Sequence, residues 1–321
     1  MERDKIMKKR IISMSIIFIF FLQACSVIDD LYLVQNAIDN FKGTQGYEIA
    51  KAVMHENVPK IKEICMENSG AMYVEDNEYH YTVLHWAVGL KKFKSVKALL
   101  EAGMNPNVQS SVGGETPLFI ATKNEDVDIT FLKLLLDYGA DPNIGTTAVI
   151  LPDMIQADGR STPVFSSFID GQTPLMTLPT LYIPAKKANP AKAKFLIEKA
   201  HADINKKDIN GSTAAIRALR FSDIDMAYYL IVECKATVTD PYYFPESVRG
   251  RERKKIPQYP VYALREWLYP LDSPEYKKKM DIVKEFEKQG VDYWNTSIPD
   301  SILTKIRDLY PDNWKEYSEK Y

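Results

Sequence analysis

Thr82-Val-Leu-His-Trp-Ala87 and, 34 residues later, Thr116-Pro-Leu-Phe-Ile-Ala121 decide the fold. The pattern returns as Thr173-Pro-Leu-Met-Thr-Leu178 and, in degenerate form, as Thr213-Ala-Ala-Ile-Arg-Ala218, so the threonine-to-threonine spacings are 34, 57 and 40 residues. Thr suits a helix N-cap and Pro suits the first helical position, where a missing N–H costs nothing. The Leu and Ala that follow belong on a buried helix face, Ala permitting close approach. A second amphipathic stretch follows each copy and closes in a turn: Phe93 to Leu100 before Gly103-Met-Asn-Pro-Asn107, Phe131 to Leu136 before Gly139-Ala-Asp-Pro-Asn143, Phe195-Leu-Ile197 before His201-Ala-Asp-Ile-Asn205, and Tyr229 to Val232 before Lys235-Ala-Thr-Val-Thr239. Glycine takes the left-handed position at the lowest cost, and Asp or Asn closes a turn by bonding its own backbone.

This unit resembles the ankyrin repeat, whose signature is T-P-L-H-x-A and whose period is about 33 residues. The resemblance covers roughly residues 46 to 295 and implies an all-α ankyrin-repeat solenoid of about five to six stacked units, counting divergent caps. It implies a structural His85, hydrogen-bonded to neighbouring backbone. Tyr47 to Ser69 reads as an N-terminal helix pair with Ile49, Ala50, Val53, Ile61, Ile64 and Cys65 on its apolar faces. Pro260 to Leu264 and Ile282 to Phe286 read as a last divergent pair, closed by Gln289 to Asp292. A terminal helix within 297–321 is expected to cover the final apolar face, because terminal repeats must end in a polar surface.

Ahead of the repeats, Lys8, Lys9 and Arg10 precede a run from Ile11 to Leu22 that is apolar but for Ser13 and Ser15. Twelve residues are too few for a membrane-spanning helix, which needs roughly 20. Leu22-Gln23-Ala24-Cys25 resembles the bacterial lipobox, Gln23 standing where a small residue is usual. That resemblance implies a signal peptide over 1–24, lipidation at Cys25, a linker over 25–45 and the repeats over 46–296. The anchored chain would face the periplasm, and Ser26 after the cysteine favours the outer membrane. Removing 24 residues that hold five basic and two acidic side chains takes the net charge from −2 to −5.

The departures from the repeat mark the expected contact surface, since insertions map to loops and often to the binding face. The longest, about 145–170, is unusually apolar, with Val149 to Ile155 and Val164 to Ile169. It reads either as a finger touching the partner through Asp153, Met154, Arg160, Phe165 and Phe168, or as a segment folded back on its own scaffold. A second insertion, about 240–255, carries Arg249, Arg251, Arg253, Lys254 and Lys255. It reads as a solvated loop, an acid-binding patch, or a contact with anionic head groups. A smaller one spans Tyr182 to Pro190. Trp86, Phe119, Met176 and Arg217 share one position on successive first helices; Phe119 and Met176 suit the core, and Trp86 suits a contact. Tyr79, Tyr81 and Asp170 fall near turn tips.

Catalytic and metal-binding classes find no support. His55, His80, His85 and His201 show no ligand spacing, and Cys-x-x-Cys, G-x-S-x-G, Walker A and G-x-G-x-x-G patterns do not occur. No cofactor and no metal are expected, and the net charge argues against nucleic acid. Cys65 and Cys234 read as separate buried thiols. The expectation is a monomer that binds a protein. Ankyrin repeats behind a lipobox resemble the bacterial lipoproteins that act as immunity proteins against type VI secretion lipase effectors, which implies a phospholipase partner. A periplasmic scaffold or chaperone for a resident enzyme, and a surface-exposed host-interaction protein, stand as alternatives.

Overall fold

The computed structural model describes residues 32–147, 169–179, 190–243 and 256–321. They are all-α, in helix pairs joined by turns, as the repeat pattern predicts; β-pairing among the described residues is confined to two isolated bridges. The chain divides into two compact units, one ending at Met104 and the other starting at Asn105.

In the first unit, helix α1 (32–39) precedes the pair α2 (Tyr47–Met54) and α3 (Val58–Glu67), then α4 (Val83–Gly89) and α5 (Phe93–Glu101). Residues 32–39 lie in the stretch read as linker, yet Ala37, Ile38 and the following Phe41 are buried. Asn57 starts α3 by accepting the Lys60 N–H at 3.2 Å. Ile49, Ala50, Val53, Ile61 and Cys65 are buried, as their spacing predicts, while Ile64 is half-buried. Thr82 opens α4 through His85: the imidazole Nδ1 accepts the Thr82 N–H at 3.2 Å and lies 2.9 Å from the Thr82 hydroxyl. The signature histidine therefore secures the helix start of its own repeat. Ser95 Oγ, fully buried, donates to the Val53 carbonyl at 2.6 Å and fastens α5 to the end of α2.

The second unit continues with α6 (Pro117–Lys123) and α7 (Ile129–Asp137). The third copy is the irregular one. Its first helix is a 3₁₀ turn, Pro174–Thr177, stopped by Pro179, which has no N–H to extend a helix. Then come α8 (Pro190–Glu198), α9 (Ala214–Arg220) and α10 (Ile224–Tyr228), which runs on as a π-turn at Tyr229–Glu233. Thr116 and Thr213 cap their helices by accepting the N–H of Phe119 at 3.1 Å and of Ile216 at 3.2 Å. The turn closing α7 is reached by Ala140 N–H bonding the Leu135 carbonyl, whereas Ala202 reaches back to Leu196 and Ala236 to Leu230. The third and fourth copies thus carry one extra residue, which the π-turn absorbs in the fourth.

A ladder of asparagines joins successive turns. Asp141 N–H donates to Asn107 Oδ1 at 2.7 Å, Asp203 N–H to Asn143 Oδ1 at 2.7 Å and Thr237 N–H to Asn205 Oδ1 at 2.8 Å. At the last link Gln289 takes over, accepting from Val238 N–H and donating to the Ala236 carbonyl. The acidic turn residue does close its own turn, as read from sequence: Asp141 accepts from Asn143 N–H and Asp203 from Asn205 N–H. The terminal Asn of the turn is the part that reaches the next repeat.

The two longer insertions leave this stacking intact because the described residues at their roots are bonded to each other. Thr146 N–H bonds the Gln172 carbonyl at 3.0 Å, Gly171 N–H bonds the Thr146 carbonyl at 2.7 Å, and Thr146 Oγ1 donates to Ile169 O at 2.6 Å. Tyr242 and Gln258 exchange both backbone bonds at 2.8 Å at the root of the second insertion. The end of the unit is α11 (Pro260–Arg265), α12 (Pro274–Lys288), α13 (Asp300–Leu309) and α14 (Trp314–Lys320). Two helices stand where one terminal helix was expected, since Pro311 interrupts the pattern. Ile302, Ile306, Tyr317 and Tyr321 form their shared core. Arg265, 2% exposed, fastens it: its guanidinium donates to the carbonyls of Tyr321 (2.7 Å), Tyr293 (2.8 Å) and Trp294 (3.1 Å).

Candidate protein-binding surface

The turn before α4 is organised by one carboxylate. Asp76, 2% exposed, accepts the N–H of Glu78 at 2.8 Å, of Tyr79 at 2.7 Å and of Tyr81 at 2.8 Å. Its Oδ2 also accepts the indole N–H of Trp86, from α4, at 3.0 Å. These bonds fix three aromatic side chains against one another. Tyr79 and Tyr81 lie 25° from parallel with centroids 6.3 Å apart, and Trp86 stands edge-on to them at 5.6 and 6.3 Å. Tyr81 also stacks on His85 at 5.2 Å. All three are half-buried, so each ring is both held and presented. Aromatic residues on a rigid support are the usual anchors of protein interfaces.

In the sequence Tyr79 and Tyr81 belong to a turn and Trp86 to a helix; the fold brings them into one cluster. Asp170 belongs to the chain's second unit, half-buried in a turn, its carbonyl accepting Ile209 N–H at 2.9 Å. Phe119 and Met176 are core residues, 3% and 1% exposed. Arg217, at the position equivalent to Trp86, is half-buried with its guanidinium 5.4 Å from the Phe221 ring centre. Burial lowers its pKa, against the opposing pull of Asp208, and its Nε has no hydrogen-bond partner. Cys25, Asp153, Met154, Arg160, Phe165, Phe168, Arg249 and Arg251 lie outside the described residues.

One surface went unread in the sequence. Tyr259 and Tyr262, 42% and 43% exposed, pack edge to face at the start of α11 with centroids 6.3 Å apart. The signal is the replacement of the Thr-Pro opening by Tyr259-Pro260. A tyrosine cannot cap the helix as threonine does, so its ring is free to face outward. Cys65 and Cys234 are free thiols, both pushed up in pKa by burial. Among the described residues no group of three His, Cys, Asp or Glu side chains gathers as a metal site.

Comparison with known proteins agrees with this geometry. Residues 49–146 match a model of ankyrin repeats in three copies, and residues 185–231 match a model of ankyrin repeats in many copies. A fowlpox virus ankyrin repeat protein is 45% identical over 67 residues, 20% of this chain and 13% of that protein. A regulatory protein of Arabidopsis thaliana is 37% identical over 91 residues, 28% of this chain and 18% of its own length. An ankyrin repeat protein of Acanthamoeba polyphaga mimivirus is 31% identical over 97 residues, 29% of this chain and 16% of its own. The chain therefore spans less than a fifth of the length of these relatives.

Proposed function

We propose that this ankyrin-repeat chain binds and neutralises a protein partner, and that it does so from a lipid anchor facing the periplasm. The observation that carries the binding role is the braced trio Tyr79, Tyr81 and Trp86. Three large rings are fixed by a buried carboxylate, so little side-chain entropy is lost when a partner covers them. Rings left half-exposed at such cost in local design serve contact better than they serve the core.

The anchor rests on Leu22-Gln23-Ala24-Cys25 behind a basic and apolar leader. Together with the repeats it supports an immunity protein against a type VI secretion phospholipase effector. An inhibitor tethered to the membrane is concentrated where such an enzyme attacks lipid, and effective concentration alone raises occupancy without new contacts. The test delivers phospholipase effectors to the periplasm of cells with and without this chain. Survival that depends on the chain, with direct binding of the purified pair, is the expected result. Metabolic labelling with palmitate, lost in Cys25→Ala, checks the anchor separately. If no phospholipase is bound or blocked, the immunity assignment falls while a binding role for another protein stands.

A further inference from the structure

We propose that Tyr79, Tyr81 and Trp86 form an aromatic cage for a guanidinium group, so that the partner presents an arginine to it. The inference rests on the reading that the chain engages a protein, and it specifies the chemistry of the contact. Two near-parallel rings act as walls, and the third crosses them at 78° and 75°. A cation seated among centroids 5.6 to 6.3 Å apart is within about 6 Å of all three, the range over which a ring face attracts a positive charge.

The surrounding charge has the matching sign. Asp76 lies beneath the cage, bonded to Trp86, and Glu75 and Glu78 flank it on the same turn. Tyr79 senses this field: burial first, then the carboxylates of Glu78 and Asp76, raise its pKa. The lone pairs of Asp76 are engaged by four N–H donors, so it supplies field without being available as a direct partner. Glu75 lies 3.8 Å from His80 at its other side. An aliphatic side chain would gain from the rings but nothing from the acids. A planar guanidinium gains from both, and it stacks on ring faces better than an ammonium.

The experiment follows the four indole N–H signals of the purified, nitrogen-15-labelled full chain during titration with a short capped glycine peptide carrying one arginine. The same peptide carrying citrulline, which keeps shape and loses charge, and one carrying lysine are the controls. The Trp86 signal is expected to shift saturably with arginine, with binding about 5-fold weaker for citrulline and weaker for lysine. The signals of Trp267, Trp294 and Trp314 stay in place. Tyr79→Phe keeps the response and Tyr79→Leu loses it; if Tyr79→Leu disturbs the other indoles, Tyr81→Leu makes the same comparison. Equal binding of citrulline or lysine, a response that survives loss of either tyrosine ring, or no Trp86 shift at millimolar peptide overturns the cage. Because the titration needs no toxin, its failure is distinct from failure of the immunity assignment, which the survival assay reads.

Discussion

The indole N–H of Trp86 donates to Asp76 Oδ2 at 3.0 Å, tying the first residue of a turn to a helix ten positions on. Asp76 holds three backbone N–H groups of that turn as well, so its removal leaves four buried or half-buried donors without an acceptor. Hydrogen bonds to a charged group contribute roughly 1.5–3 kcal/mol each and do not add fully. Asp76→Ala is therefore expected to cost about 3 kcal/mol or more in the first unit. Trp86→Phe, which removes a single donor, is expected to cost about 1–2 kcal/mol. Denaturant unfolding, with hydrogen exchange at Glu78, Tyr79 and Tyr81, checks the ranking; equal costs for the two variants would remove Asp76 from its role as the organiser.

Asn143 accepts the N–H of Asp203 across the longest insertion, at 2.7 Å. The bond shows that the turns of the second and third copies stack although their threonines are 57 residues apart. It lies at an exposed edge, so its net contribution is about 1 kcal/mol. Asn143→Ala and Asn205→Ala are each expected to lower the melting temperature by about 2–4 °C. Asn143→Asp keeps the acceptor oxygen and is expected to lose less. A scanning calorimetry series reads all three, and a silent Asn205→Ala would mean that the ladder is decorative.

Left-handed backbone closes the second helix of each signature copy and of the last pair, and only some of them use glycine for it. Gly139 has φ 90° and Gly290 φ 82°, whereas His201 and Lys235 hold the same place at 55° and 62°. A side chain in that region costs about 1 kcal/mol, partly offset because glycine also loosens the unfolded chain. His201→Gly is expected to stabilise the second unit by about 0.5–1 kcal/mol, and Gly139→Ala to destabilise it by at least as much. Opposite signs in urea unfolding confirm the strain; a destabilised His201→Gly would show that the imidazole makes a contact worth more than its backbone cost.

What could be read beforehand follows from the range of each interaction. Threonine caps, the turn residues and the apolar faces act within a few positions, so the repeats at Thr82, Thr116 and Thr213 were legible from the chain alone. The fold of the third copy was not, because its Thr173-Pro opening is undone by Pro179 only five residues beyond the helix start. Lys192 illustrates the other limit. It lies in an alternation of Ala and Lys that gives no sign of which lysine is inside, yet its ammonium is buried on the carbonyls of Ala121 and Asn124, at 2.8 and 2.6 Å. That contact joins residues 71 apart and depends on how the helices stack. The aromatic trio belongs to the same class: each ring was visible, but their common brace at Asp76 is a property of the folded turn.

Lys279 makes the stability of the second unit depend on pH. It is fully buried in α12, its amino group donating to the Trp267 carbonyl at 2.8 Å and sitting 3.5 Å over the centre of the Tyr321 ring. Burial first, and the Arg265 charge second, lower its pKa to about 6. In the unfolded chain a lysine titrates near 10.4. Between these values the unfolded chain binds a proton that the folded chain releases, so stability rises with pH across that window. Below about pH 6 both states are protonated and the slope vanishes. Wild-type protein is therefore expected to become steadily harder to unfold from pH 6.5 to 9, and Lys279→Met to flatten the profile. At pH 7 the folded chain holds this lysine largely neutral, a penalty that an apolar side chain of similar length does not carry; the bond lost at Trp267 offsets part of the gain, and the variant should melt higher at pH 7. The difference between the two profiles isolates Lys279 from every other titrating group. Parallel profiles would mean that the lysine stays charged in the folded state, stabilised by the tyrosine rings that enclose it.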